Sequence, residues 1–497
     1  MRKSMPIFYS ALMLTGVNLL LRLVSTSFQV FISGRIGAAG VGLLQLVLSV
    51  GMLAMTAGMA GVRTATMYLT AEELGKKRPK NVTWVLSACF LYSIVFSGTI
   101  CLGLYSFAPA LAQHWVGDIR TVGAIRLYAS FLPVTCLCGC MTGYFTAANR
   151  ISTLAAVEVA EQLCSMSATM AALTFWAGSD PAKACQAVIL GSGIGACLTL
   201  LSLMILRLRE HAGTDPRIPV CKRLLQTALP LALADDLKSG ISTGENLMVP
   251  KRLALYPGTS DPLAAFGTVC GMVFPVLMFP AAILFGLAEL LIPELARCAA
   301  AESRFRIQYL VRRSLRVAML YSGLLCGLMF LLADDLCMAL YSNPEAGMHL
   351  RMYSLLLPLL YCDAITDAMT KGLGQQKACV RYNILTSGMD VALLYVLLPQ
   401  YGMGGYFISF LVTHLLNFAL SLRRLLLITR VHIRIRIPVL TAAAVLASVW
   451  AASHLSSTVG RCVAYLSVLG CLMFLLRVIG MEDLRWMKGL IRKKGAV

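Results

Sequence analysis

The sequence predicts an all-α, polytopic membrane protein, and three observations carry that prediction. Of its 497 residues, 58% are hydrophobic and 13% charged, where a soluble chain carries about 25% charged. A bilayer core about 30 Å thick needs roughly 20 apolar residues per helical crossing, and such runs follow one another almost end to end. The basic residues stand mostly between those runs rather than inside them. Polar connections reach only about 15 residues, which leaves no room for a globular catalytic or nucleotide-binding domain.

Read against Gly, Pro and charged breaks, the apolar runs give about fourteen transmembrane helices. They start near Pro6, Val41, Asn81, Thr121, Ile151, Pro181, Lys222, Pro262, Arg306, Arg351, Ala378, Gly402, Pro438 and Val459. The stretch Met1 to Ser10 has a basic start but no short apolar core ending in a cleavage site, so it reads as the beginning of an uncleaved first helix. An even number of spans puts both termini on one side. With that side cytoplasmic, inside segments hold 32 of the 43 Lys and Arg. Outside loops hold eight: Arg35, Arg120, Arg126, Lys183, Lys251, Arg252, Arg351 and Arg461. Arg22, Arg63 and Lys238 lie within spans. Cytoplasmic loops of membrane proteins carry this excess, so the count and the charge alternation agree. The same distribution accounts for the net charge of +20 without nucleic acid as a partner.

The long basic loop after the sixth span divides the chain. Residues 1–210 form a first six-helix lobe, residues 211–432 a second, and residues 433–497 an additional helix pair with a basic cytoplasmic tail. Both six-helix groups start on the same side, so a pseudo-symmetry axis would run along the membrane normal, with a binding site between the halves.

Ionisable residues inside a membrane are costly and therefore functional candidates. On the first helix Thr15, Asn18, Arg22, Ser25, Thr26 and Gln29 share an arc of roughly 100°. Gln45, Ser49, Thr56 and Arg63 fall within about 40° on the second. The seventh carries Asp235, Lys238, Ser242, Glu245 and Asn246 on one arc, with Pro230, Gly240 and Gly244 to let it bend. Further acids are Glu158 and Glu161 on the fifth span, Asp363 and Asp367 at i,i+4 on the tenth, and Asp390 on the eleventh. The bland reading is packing: Lys238 pairing with Asp235 or Glu245, and the isolated acids bonding across helices for about 1 kcal/mol each. Arginine resists that reading because it stays charged, and its planar fork suits phosphate. Arg22, Arg63, Lys238, Asn18 and Gln29 are thus the candidate substrate-binding set for an anionic cargo. Asp235, Glu245, Asp363 and Asp367 are the candidates for coupling to an ion gradient, Na+ or H+.

Other chemistries lack their signatures. No phosphate-loop motif appears, and Gly191, Gly193 and Gly195 lie inside a helix with no strand before them, so with Gly51, Gly58 and Gly61 they read as close helix packing. Cys136, Cys138 and Cys140 have no nearby histidine and read as packing, and the six histidines have no metal-ligand spacing. No nucleophile, base and orienter set is evident, so no catalytic residue, metal or cofactor is expected.

Four segments carry a family resemblance: Arg22 with the SGRIGAAGVGLLQL run from Ser33, NLMVPKRL from Asn246, GMVFPVLMFPAAILFGLAELLIPELA from Gly271, and TKGLGQQKA from Thr370. Together they resemble the stage V sporulation protein B-like branch of the multidrug/oligosaccharidyl-lipid/polysaccharide (MOP) exporter superfamily. The resemblance implies alternating access by two six-helix lobes around a central cavity, with the last two helices forming a lipid-facing groove. In the related lipid II flippases, arginines on the first two helices engage the pyrophosphate; Arg22 matches the first by context and Arg63 the second by position. A basic residue on the relatives' eighth helix has no counterpart between Gly267 and Glu289, and Lys238 is the candidate substitute. The expected function is a monomeric flippase in a bacterial cytoplasmic membrane, moving a lipid-linked, anionic envelope precursor. Its partners would be that lipid-linked glycan precursor and membrane lipids. The alternatives are a drug antiporter of the same superfamily and a non-transporting scaffold in spore or envelope assembly.

Overall fold

Helix starts follow the sequence signals closely. Asp180, Asp261 and Asn343 each precede a proline at the first helical position, and each side chain accepts a hydrogen bond from a first-turn N–H. The residue type satisfies an orphan donor and the proline needs none. The computed structural model describes residues 7–76, 78, 81–178, 180–209, 221–431, 436–476 and 478, and among these it contains helices and no strand. It is a multi-pass membrane protein.

In chain order the helices are α1 (Ile7–Met59), α2 (Val62–Gly75), α3 (Asn81–Ala110), α4 (Val122–Ala147), α5 (Ile151–Ala172), α6 (Pro181–Leu208), α7 (Cys221–Leu253), α8 (Pro262–Gly267) and α9 (Phe274–Met278). They continue as α10 (Ala281–Ala300), α11 (Arg304–Tyr341), α12 (Pro344–Ser354), α13 (Leu357–Gly372), α14 (Gln376–Tyr401), α15 (Met403–Thr429), α16 (Arg436–Ser453) and α17 (Thr458–Leu475). The chain packs as two compact units. Unit 1 comprises Met1–Met272 and Ser387–Tyr406; unit 2 comprises Val273–Thr386 and Phe407–Val497. Packing thus groups α7 with the first six spans, whereas the basic loop before it opens the second group in the sequence.

Among the described residues nine helices are long and apolar enough to cross a membrane, or up to ten if the two stretches of 262–300 form one span. Length and apolarity alone therefore do not fix the count at fourteen. Leu20–Leu74 enters that count as one span of 55 residues, yet a straight helix of that length would measure about 80 Å, far more than a bilayer core. Gly37 breaks it with φ +70° and ψ 176°, a conformation that favours glycine. α5, α7 and α13, which carry Glu158, Glu161, Asp235, Glu245, Asp363 and Asp367, fall outside the count, as does the short α12, whereas Asp390 lies on α14 inside it.

Breaks in spanning helices release backbone carbonyls that lipid cannot satisfy, and side chains answer them here. At Ala60–Gly61 the backbone turns left-handed, and Tyr92 Oη of α3 donates to the Ala60 carbonyl at 3.1 Å. Gly61 sits so close to α7 that a Cβ would stand 2.5 Å from the Ala228 carbonyl. Buried Val62, Leu69, Val85, Leu224 and Ala228 close the same seam. At its end Arg223 bonds Glu72 and, at 3.3 Å, the nearly inaccessible Glu73. Unit 2 repeats the device, with Tyr361 Oη donating to Leu277 O at 2.7 Å and Tyr321 Oη to Pro280 O at 2.8 Å. The α6 glycines serve packing: a Cβ on Gly191 would lie 2.0 Å from Thr169 Oγ1 of α5. Buried Tyr465 of α17 donates to the Leu324 carbonyl at 2.9 Å and fills the core joining α16 and α17 to α11.

Candidate functional site

In unit 1 the first-helix stripe has a defined geometry. Arg22 is half-buried, and Thr26 Oγ1 donates to its carbonyl at 2.9 Å. Two turns further, Gln29 Nε2 donates at 3.2 Å to the carbonyl of Gly271. That carbonyl lies four residues before Pro275, whose missing N–H leaves it without its usual helical partner. Gln29 therefore has a structural duty as well as a place on the stripe. Asn18 lies in α1, but its side chain is outside the described residues. Arg63 is exposed in the first turn of α2 and lies within electrostatic reach of Glu158 on α5, so a carboxylate answers part of its charge. Neighbouring Glu161 accepts a 2.6 Å hydrogen bond from Thr199.

The polar arc of α7 divides into two faces. Thr243 Oγ1 donates to Ser49 O at 3.0 Å, Asn246 Nδ2 to Ser49 Oγ at 3.0 Å, and Thr56 Oγ1 lies 3.2 Å from Ser239 Oγ. Those contacts hold α7 to α1. Asp235, Lys238 and Ser242 are exposed. The more enclosed acid of the adjacent pair is Asp236, which faces Tyr92 and has a buried Oδ1 with no hydrogen-bond partner among the described residues. Sequence reasoning passed over it because the neighbouring Asp235 fits the arc.

Glu245 does not meet Lys238; it lies against Asp390 of α14, within hydrogen-bonding reach. Asp390 is buried, and Cys270 and Tyr406, 3.9 Å apart, stand beside the pair. Two carboxyl groups side by side in a low-dielectric setting repel strongly when both are ionised, so the arrangement favours holding a proton or a small cation.

Unit 2 brings Asp363 and Asp367 to one cavity of about 200 Å³, lined also by Asn383, His414 and Asn417. Buried Asp363 accepts from Asn417 Nδ2 at 3.1 and 2.9 Å, and His414 Nδ1 lies 3.8 Å away. Asp367 pairs with Lys371 at 2.6 Å. His414 and Asn417 went unnoticed in the sequence, although Thr413, His414, Asn417 and Ser421 interrupt an apolar run at helical spacing. Among the described residues no group of His, Cys, Asp and Glu could hold a metal ion through three or more such ligands.

Comparison with known proteins supports the resemblance read from the four segments. Residues 14–166 match the MatE family model. Stage V sporulation protein B of Bacillus subtilis (strain 168) is 21% identical over 407 residues, covering 79% of this chain and 78% of that protein. Among solved structures, the lipid II flippase MurJ in an inward closed conformation superposes with a TM-score of 0.72 at 11% identity, over 93% of this chain and 98% of that one. An inward-facing multidrug resistance MATE family transporter of the MOP superfamily gives 0.66 at 13% identity, over 84% and 99%. The chain shares the fold of both.

Proposed function

We propose that this chain, built on the fold of the MOP-superfamily transporters, is a flippase that carries a lipid-linked, anionic envelope precursor across the bacterial cytoplasmic membrane. The observation that carries this reading is Arg22, a permanently charged fork half-buried midway along an apolar helix, on one stripe with Thr26 and Gln29. A cation held there favours a phosphate or pyrophosphate group over a cationic drug. The structurally similar lipid II flippase supports an envelope precursor as the cargo class, and the sequence relative is a sporulation protein. Arg63 is the weaker binder because Glu158 faces it, and Lys238 would meet the cargo from α7. Energy would come from an ion gradient through Glu245 with Asp390, or through Asp363 and Asp367. The excess of basic residues in alternate loops supports cytoplasmic termini.

Complementation of a flippase-depleted strain tests the reading. Arg22→Ala should abolish growth at normal membrane abundance, and Arg22→Lys should restore part of it. Cells lacking the protein should accumulate lipid-linked precursor. Normal precursor levels with altered drug sensitivity would instead make the chain a drug antiporter, a reading that the MatE match keeps open.

A further inference from the structure

One short segment of unit 1 touches both the arginine stripe and the facing acids. After α8 the backbone runs as a π-helix from Thr268 to Val273, and α9 then resumes the α pattern. A π-turn closes i→i+5 hydrogen bonds and occurs mostly as single turns inside α-helices, frequently at functional sites. The Gly271 carbonyl of this segment accepts from Gln29 Nε2 at 3.2 Å, two turns along α1 from Arg22. The preceding residue, Cys270, has its Sγ 3.9 Å from Tyr406 Oη and stands beside Glu245, which lies against Asp390. Two consecutive residues thus face the two candidate sites.

The segment is clamped at its upstream end. A Cβ on Gly267 would lie 2.0 Å from the Ala38 carbonyl, one on Gly271 2.0 Å from Val41 Cγ1, and one on Gly42 2.3 Å from the Leu263 carbonyl. These contacts seat residues 263–271 on residues 38–42, just past the left-handed Gly37. Downstream, Pro275 has no N–H, so in an α register the backbone cannot answer Gly271 O. The π-helix also starts on an unanswered group. Thr268 is 1% exposed, and its Oγ1 has no hydrogen-bond partner among the described residues. Buried Thr66, Thr366 and Thr370 instead donate to the carbonyl four residues back. A buried donor left unmade is unfavourable.

We infer that Gln29 and the π-helix 268–273 are positioning elements that link the two facing acids to the arginine stripe, a role that rests on the flippase reading above. Loss of charge at Glu245 and Asp390 shifts the segment from π to α register. The shift turns the side chains that follow by about 100° and alters the hold of Gln29 on Gly271, two turns from Arg22. Coupling between sites needs an element with two arrangements that both sites bias, and the unanswered Thr268 hydroxyl marks the π register as one of two. A plain cap on a freed carbonyl would explain the Gln29 bond, but neither the π-helix nor the place of Cys270 beside Glu245. Val273 begins unit 2, so the register change acts where this span leaves unit 1.

Double-mutant cycles on the full chain in nanodiscs test the inference, with undecaprenyl pyrophosphate as the probe. Glu245→Gln, a neutral mimic of the protonated acid, should change the dissociation constant of the probe about tenfold. In a Gln29→Leu background the same substitution should change it by less than about twofold. Because Gln29→Leu also strips a donor from a buried carbonyl, Pro275→Ala provides an independent arm. It restores the N–H that Gly271 O lacks, favours the α register and should likewise erase the response to Glu245→Gln. A tenfold response that persists in both backgrounds would overturn the inference and leave Gln29 as a cap or a cargo ligand. Hydrogen exchange needs no cargo and so separates this outcome from failure of the flippase reading. Glu245→Gln should change exchange about threefold or more in peptides covering 262–278 and 20–32, and Pro275→Ala should abolish the change in 20–32. If the probe does not bind the wild type, the cargo is wrong, yet this exchange pattern still upholds the link. Exchange in 20–32 that ignores Glu245→Gln would overturn the link whatever the cargo.

Discussion

The two units answer buried acids in opposite ways. In unit 1, Glu245 is met by another acid, Asp390. In unit 2, Asp363 is met by the amide of Asn417, which donates to both of its oxygens, with His414 close by. A carboxylate supplied with donors is a finished structural element. Two carboxyl groups facing each other repel when both are ionised. On that contrast, Glu245 with Asp390 is the stronger candidate for charge exchange under the proposed function, and the amide contacts of Asp363 also tie α13 to α15.

Transport itself can break this distinction, and it carries the largest effect. Glu245→Gln and Asp390→Asn should each lower precursor transport about 100-fold at matched protein level, and the double variant should be no worse, because the two act as a unit. Asp363→Asn should lower it by less than about tenfold. Equal losses at both sites would erase the difference between the units. A smaller effect sharpens it: Asn417→Ala strips the donors from Asp363 and should lower the stability of the purified protein by about 1–3 kcal/mol in denaturant unfolding. If stability is unchanged, Asp363 does not depend on that amide. The smallest effect is expected where α7 merely packs. Thr243→Val loses one interhelical hydrogen bond and should shift stability by about 0.6 kcal/mol with transport unaffected.

The sequence made the helices legible because hydropathy and loop charge are local or nearly so. Two starts were legible in the same way, at Asp180–Pro181 and Asp261–Pro262, whereas the start read near Arg351 falls inside α12, which Asn343 caps at Pro344. The pairing of Glu245 with Asp390 was hidden, since the two are on α7 and α14 and nothing in the spacing of one constrains the other. A helical arc also cannot say which of its residues meet protein. Asn246 and Thr243 are spent on α1, while Asp235 and Lys238 on the same helix remain exposed. Gln29 illustrates a further limit. Its place on the Arg22 stripe was visible, but its bond to the Gly271 carbonyl depends on a proline 246 positions later in the chain. Among the helices outside the count of spans are α5 and α7, which carry candidate charges, and α13, which at 16 residues is also short, so charge and length together blur that count.

The left-handed turn at Ala60–Gly61 has a consequence for biogenesis. Its freed carbonyl is answered by Tyr92, 32 residues further along, and its close approach is to Ala228 on α7. A ribosome delivers these partners in sequence, so α2 enters the bilayer before anything can seal its break. The turn can settle only when α3 has arrived, and it can be packed only after α7. The early spans should therefore leave the insertion machinery as a group rather than singly, and the order of synthesis becomes part of how this helix acquires its shape.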